Sequence, residues 1–255
     1  MVIDGPDGTD RTDATDVQGT GGATGGAVLL QGGAEMRPAC REMDLELVGL
    51  APPGPVVVLL GAATPGSDFR RSVDRAIRYH VDLLPGRDVR AAPHPQDDLD
   101  GCVEAVSQAA VVVLPGGSPS RLHDGLVRDG GRLGAALLRL HRAGAALSGS
   151  SAGAMVLCAR TLLPDSEERR VVSGLDLLPG LAMVHDHGGD RGWHDPDDVD
   201  GVRWGLPEAG GLLLERGLLR GVGEGSARLL RDGASTPLPR TATPLGQVLR
   251  RPPQP

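Results

Sequence analysis

The amino-acid sequence predicts an α/β fold organised on a mostly parallel sheet that helices cover on both faces. Three observations carry that expectation. Short, continuous apolar runs of strand length recur along the chain, segments of helical periodicity separate them, and glycine-marked turns close most of the runs. A strand buried on both faces reads as an unbroken apolar run, whereas a half-exposed strand alternates apolar and polar residues.

Taken in order, residues 1–26 are largely Asp, Gly and Thr, with too few apolar side chains to offset the entropy of ordering, and they read as a disordered tail. The folded part is expected over residues 27–233 as one domain. Strands are expected at the apolar runs 27–30, 56–60, 88–91, 109–114 and 145–147. Between them Phe69, Val73 and Ile77 lie on one helical stripe, Val103, Val106 and Ala110 on a second, and Leu133, Leu137, Leu138 and His141 on a third. Residues 234–255, rich in proline and closing on Arg250-Arg251-Pro252-Pro253-Gln254-Pro255, read as a second disordered tail.

Composition excludes several classes. At 255 residues the chain is long enough to bury one large core without staples. Net charge is −7, and all 26 basic residues are arginines interspersed with acids, so the sequence carries no electrostatic footprint for nucleic acid. The start has no basic segment followed by an apolar one, and no 18-residue apolar span follows it, so a soluble cytoplasmic protein without membrane contact is expected. Cys40, Cys102 and Cys158 lack Cys-x-x-Cys spacing and read as reduced core thiols.

The unusual residues gather at the strand ends, where ligands bind in such folds. Gln31-Gly32-Gly33 ends the first run, Gly61-Ala62-Ala63 the second, Leu114-Pro115-Gly116-Gly117-Ser118 the fourth and Gly149-Ser150-Ser151 the fifth. The last belongs to Gly149-Ser150-Ser151-Ala152-Gly153, a strand, a sharp turn and then a helix-like run. A serine at such a turn projects its hydroxyl from the sheet edge, which makes Ser151 the candidate nucleophile. Acyl transfer also needs oxyanion donors, for which the amides of Gly116, Gly117, Ser118 and Ala152 are available. The base is sought in His185-Asp186-His187-Gly188-Gly189-Asp190-Arg191-Gly192-Trp193-His194, just past the apolar run 178–184. Asp165 and Glu224 are the candidate acids to orient it, ahead of Glu167 and Glu168, whose neighbouring arginines suggest a solvated face. Spacing does not decide between them. The same His-x-His segment with Asp190, His194 and Asp195 offers metal ligands, but no tight ligand spacing such as His-Glu-x-x-His is present.

These residues resemble the peptidase S51 family, the cyanophycinases and aspartyl dipeptidases, with the related type 1 glutamine amidotransferase-like proteins. Carrying the resemblance are Leu29-Leu30-Gln31-Gly32-Gly33, Leu114-Pro115-Gly116-Gly117-Ser118-Pro119, Gly149-Ser150-Ser151-Ala152-Gly153-Ala154-Met155, Gly174-Leu175-Asp176-Leu177-Leu178-Pro179-Gly180 and Gly221-Val222-Gly223-Glu224. The resemblance implies a three-layer α/β/α sandwich of the class I glutamine amidotransferase-like, flavodoxin-like kind. It implies a Ser-His-acid triad on Ser151 that needs no metal or cofactor, and a small peptide with an aspartyl-linked amide as substrate. In cyanophycinases the histidine precedes Arg-Gly by three intervening residues, as His187 precedes Arg191-Gly192, which favours His187 over His185 and makes Arg191, with Ser118, a substrate contact. Departures are Ser118 where many relatives have Asp, Gly188 where an aromatic or second histidine is usual, and Gly223-Glu224 in place of Asp-Glu. The rival expectation is a non-catalytic protein whose glycine-lined cleft holds a small anion or peptide. A homodimer is compatible with either.

Overall fold

The computed structural model describes residues 25–64, 66–164, 170–185 and 201–250. In chain order its first half comprises β1 (Val28–Gln31), α1 (Arg41–Leu50), β2 (Val56–Val58), α2 (Ser67–Leu83), β3 (Val89–Ala91), α3 (Leu99–Ser107), β4 (Val111–Leu114), α4 (Pro119–Arg142), β5 (Ala146–Ser150) and α5 (Ala152–Leu157). There follow β6 (Arg160–Leu163), β7 (Arg170–Ser173), β8 (Leu181–Val184), β9 (Arg203–Leu206), β10 (Gly210–Glu215), β11 (Leu218–Gly223), β12 (Arg228–Arg231), β13 (Ala234–Pro237), β14 (Thr243–Pro244) and α6 (Leu245–Val248).

The main sheet has eight strands in the order β14-β11-β10-β1-β5-β4-β2-β3. From β1 to β3 every pairing is parallel, and β10, β11 and β14 add an antiparallel flank beside β1. The apolar runs became strands because both of their faces are covered. Val28, Leu30, Val57, Val112, Leu114 and Leu147 point into one core, which α3, α4 and α5 complete with Cys102, Val106, Leu122, Leu137 and Ala154. Their neighbours Leu29, Val56, Val111 and Ala146 point the other way, onto Met43 and Leu47 of α1 and Leu83 of α2. The alternation along a strand thus builds three layers, α/β/α, as expected. The expected stripes lie on α2, α3 and α4, except that Ala110 falls in the turn before β4.

Helix starts follow their capping residues. The Asp98 carboxylate accepts the Gly101 amide ahead of α3, and the Ser118 hydroxyl accepts the Arg121 amide ahead of α4, where Pro119 occupies the first turn. A second sheet, β13-β12-β9-β8, lies beyond the main one, and β6 pairs with β7. Trp204 of β9 is fully buried and its indole N–H donates to the Pro179 carbonyl at 2.8 Å.

One expectation is corrected. The chain after residue 233 does not run as a tail: β13 pairs with β12, β14 pairs with β11, and Leu238 is buried. Pro237 sits at the end of β13 and Pro244 in the edge strand β14, positions that need no ladder donor, so proline content did not preclude structure here. Residues 1–24 and 251–255 lie outside the described residues. Among the described residues no helix is long and apolar enough to cross a membrane.

Candidate active site

Strand register brings the carboxyl ends of three strands level. Gln31 of β1 lies opposite Ser150 of β5, and Leu114 of β4 opposite Gly149. From this edge β1 leads to α1 on one face and β5 leads to α5 on the other, so the chain parts and leaves a crevice between them.

Ser151 stands at that edge, between β5 and α5, with φ 49° and ψ −112°. Such a backbone is strained for any residue with a Cβ and persists because its surroundings dictate it. The Ser151 amide donates to the Gln31 carbonyl at 3.0 Å, and the Met155 amide donates to the Ser151 carbonyl at 3.0 Å. Both motif glycines are required by close approach. A Cβ on Gly149 would lie 2.6 Å from the backbone of Gly153, and one on Gly153 would lie 1.9 Å from the Leu114 carbonyl oxygen.

Facing the serine is His185, the residue that follows β8. The Ser151 hydroxyl and His185 Nε2 are 3.2 Å apart, and His185 Nδ1 lies 3.1 Å from Glu208 Oε1. Glu208 accepts the Nδ1–H, which leaves the Nε2 lone pair to accept the serine proton. The imidazole side chain is 28% exposed and the Glu208 side chain 50%, so Glu208 orients the ring while remaining open to water. Gly32 and Gly33 explain how histidine arrives there. The Gly32 carbonyl accepts the His185 amide at 2.9 Å. Gly33 has φ +143°, and a Cβ on it would sit 2.4 Å from His185 Cε1.

On the other side of Ser151 lies the turn after β4. A Cβ on Gly116 would be 3.2 Å from Ser151 Cβ, and one on Gly117, at φ +139°, would lie 2.6 Å from the Ala62 carbonyl oxygen. The Gly116 amide donates to Glu35 Oε1 at 3.0 Å. Ala152 heads α5, and its amide is among those a helix leaves without an intrahelical acceptor. Next to this turn opens a cavity of about 420 Å³, lined in part by Glu35, Arg75, Gly116, Gly117, Ser118 and Arg121. Gly116, where an added Cβ would touch Ser151, belongs to its lining.

The sequence expectations divide accordingly. Ser151 and His185 are brought together; His187, Asp165 and Arg191 lie outside the described residues. Glu224 is exposed and meets the Glu208 turn through its amide, which donates to the Ala209 carbonyl at 2.9 Å, while the carboxylate on the imidazole is that of Glu208. Gly116 differs from its expected role because its amide is engaged by Glu35, and the Ser118 hydroxyl serves as the cap of α4. Glu208 went unread because Pro207-Glu208-Ala209 looks like an ordinary turn; only the pairing of β10 with β1 places it at the edge. The three thiols are free and buried, and burial is the main cause that pushes Cys102 and Cys158 up to about 12.

No protein-family profile matches the chain, and no curated protein is significantly similar to it in sequence. Solved structures do match. A peptidase from an acI-B1 Actinobacterium superposes with a TM-score of 0.72 at 22% identity, covering 88% of this chain and 98% of that one. A candidate Peptidase E protein from Listeria monocytogenes EGD-e superposes with a TM-score of 0.53 at 13% identity, covering 81% of this chain and 98% of that one. At these identities the likeness is one of fold.

Proposed function

We propose that the chain is a serine-type peptidase or amidohydrolase with Ser151 as nucleophile, His185 as general base and acid, and Glu208 as the residue that orients the imidazole. The observation that carries this reading is the unbroken relay from Ser151 Oγ through His185 to Glu208, at 3.2 and 3.1 Å, built on an elbow whose backbone is held in a strained conformation. Ser151 Oγ attacks the amide carbonyl carbon as its proton passes to His185 Nε2. The Gly117 and Ala152 amides are the donors proposed for the oxyanion. His185 then protonates the departing amine, and water, activated by the same imidazole, releases the acyl group. The names of the two structural neighbours agree with this class.

The cavity beside the elbow, lined by Arg75 and Arg121 as well as Glu35 and Asp68, is where a carboxylate on the substrate is proposed to sit, against the two arginines. An aspartyl-linked amide in a small peptide, the substrate class that the sequence resemblance implies, is the form proposed.

The test is labelling with a fluorophosphonate probe and location of the adduct by mass spectrometry, alongside turnover of aspartyl and alanyl dipeptides. The expected result is an adduct on Ser151 that is lost in His185→Ala, and a kcat reduced on the order of 10⁴-fold or more in Ser151→Ala. Turnover undiminished in Ser151→Ala defeats the reading. Tight binding of aspartyl peptides with neither adduct nor turnover assigns the cleft to a binding protein.

A further inference from the structure

The loop between β1 and α1 carries an acid that the relay does not use. Glu35 lies between Ala34, at φ 58°, and Met36, at φ 60°, two side-chain-bearing residues in the left-handed region. Such a conformation persists where the surroundings dictate it, and here the loop is tied on both sides. The Cys40 thiol donates to the Ala34 carbonyl at 3.2 Å, and the Arg75 guanidinium donates to the Glu35 carbonyl at 3.0 Å. The side chain so presented reaches the turn after β4 and the end of β5 at once. Oε1 accepts the Gly116 amide at 3.0 Å, and Oε2 accepts the Ser150 hydroxyl at 3.1 Å.

Gly116 precedes Gly117 in the turn after β4, and Ser150 is the last residue before the nucleophile. One carboxylate therefore ties the turn that carries a proposed oxyanion donor to the strand end that carries Ser151. We propose that Glu35 is a positioning residue, which sets the distance between nucleophile and oxyanion site by acting through Gly116 and Ser150. The proposal rests on the serine-hydrolase reading of the same site. Gly116 presents an N–H, which needs an acceptor, and Ser150 a hydroxyl, which can donate or accept, so the bridge needs one acceptor and a second polar atom at a fixed spacing, which a carboxylate supplies. A glutamine retains it: its carbonyl accepts from Gly116 and its amide donates to Ser150, whose hydroxyl then accepts. Aspartate is one carbon too short, and alanine leaves the Gly116 amide without its acceptor.

The experiment compares Glu35→Gln, Glu35→Asp and Glu35→Ala with wild type, using an aspartyl p-nitroanilide substrate and counting competent sites with the fluorophosphonate probe. Expected are a kcat per competent site lowered about 10- to 100-fold in Glu35→Ala and Glu35→Asp with KM little changed, and near-complete retention in Glu35→Gln. Ser150→Ala added to Glu35→Ala is expected to cost little more, since the bridge is already gone. An unchanged kcat per site in Glu35→Ala overturns the proposal, and so does a Glu35→Gln variant as impaired as Glu35→Ala, which would assign the effect to charge. Hydrogen exchange at the Gly116 amide gives an answer that needs no activity: it is expected to quicken in Glu35→Ala and to stay slow in Glu35→Gln, and equal exchange in wild type and Glu35→Ala overturns the bridge. Ser151→Ala, run in parallel, separates the two failures. Turnover that survives it removes the hydrolase reading, whereas turnover that it abolishes while Glu35→Ala remains unimpaired removes only the role of Glu35.

Discussion

At Gly33 one hydrogen atom keeps the imidazole in place. Gly33→Ala puts a methyl group 2.4 Å from His185 Cε1, and does so at a φ of +143°. The ring must shift from its place beside Ser151, and kcat is expected to fall about 100-fold, because misplacement by an ångström costs that much in a positioned reaction. Steady-state kinetics with the circular dichroism spectrum as a check on folding reads this out; an unchanged kcat would mean that the ring does not depend on the Gly33 gap. The residue scale is also where the reach of sequence reading shows most clearly. The turn at Ser151 between β5 and α5 was legible because an elbow is a local device, written in five consecutive residues. Glu208 and Glu35 were not, since their contacts are 23 residues away at His185 and 81 residues away at Gly116. Nothing in their immediate neighbourhoods distinguishes them from turn acids.

Among the elements, α2 holds a titration that the fold sets against acid. His80 is buried, its Nδ1–H donates to the Ala76 carbonyl at 2.8 Å, and burial lowers its pKa from 6.5. A base with a depressed folded pKa is protonated more readily when unfolded. Its contribution to stability is therefore full above 6.5 and is lost as pH falls toward the folded value, by at most about 1.4 kcal/mol per pH unit. Asp44 beside it has the opposite sign, since its own burial raises its pKa from 3.8 despite hydrogen bonds from Tyr79 and Gln31. The comparison of wild type with His80→Gln reads the histidine together with its electrostatic tie to Asp44. Urea midpoints at pH 7.5 and 5.5 are expected to show a smaller acid loss in the variant, and equal losses would refute the assignment. The existence of β1, β2, β4 and β5 was legible from their buried apolar runs, but their ends were not: β1 runs on to the polar Gln31 and β5 through Ser148 and Gly149 to Ser150, while the apolar run at β2 continues past its end at Val58. The antiparallel flank was not legible, because β10 declares itself only by pairing with β1, some 180 residues earlier in the chain, Gly211 with Gln31 among the partners, and β11 only by pairing with β10.

For the molecule as a whole, the segment 234–250 belongs to the fold. Beyond its strands it contributes Leu238, 7% exposed, and Arg240, whose guanidinium donates to the Gly223 and Gly225 carbonyls at 2.7 and 3.0 Å. Ending the chain at residue 233 is expected to cost at least about 2 kcal/mol, the burial of one leucine, and to lower the calorimetric melting temperature. An unchanged transition would show that the segment only rests on the surface. Proline content misled here because composition reports which residues a strand interior rejects, and an edge rejects fewer. The contorted backbone at Ser151 has a consequence for the history of such a chain. Glycine would relax there at no steric cost, so Ser151→Gly should melt higher than wild type while losing all turnover. If the proposed function holds, a lineage freed from it would gain robustness by exchanging this serine for glycine, so the strained conformation is a stability cost that the proposed chemistry imposes on the fold.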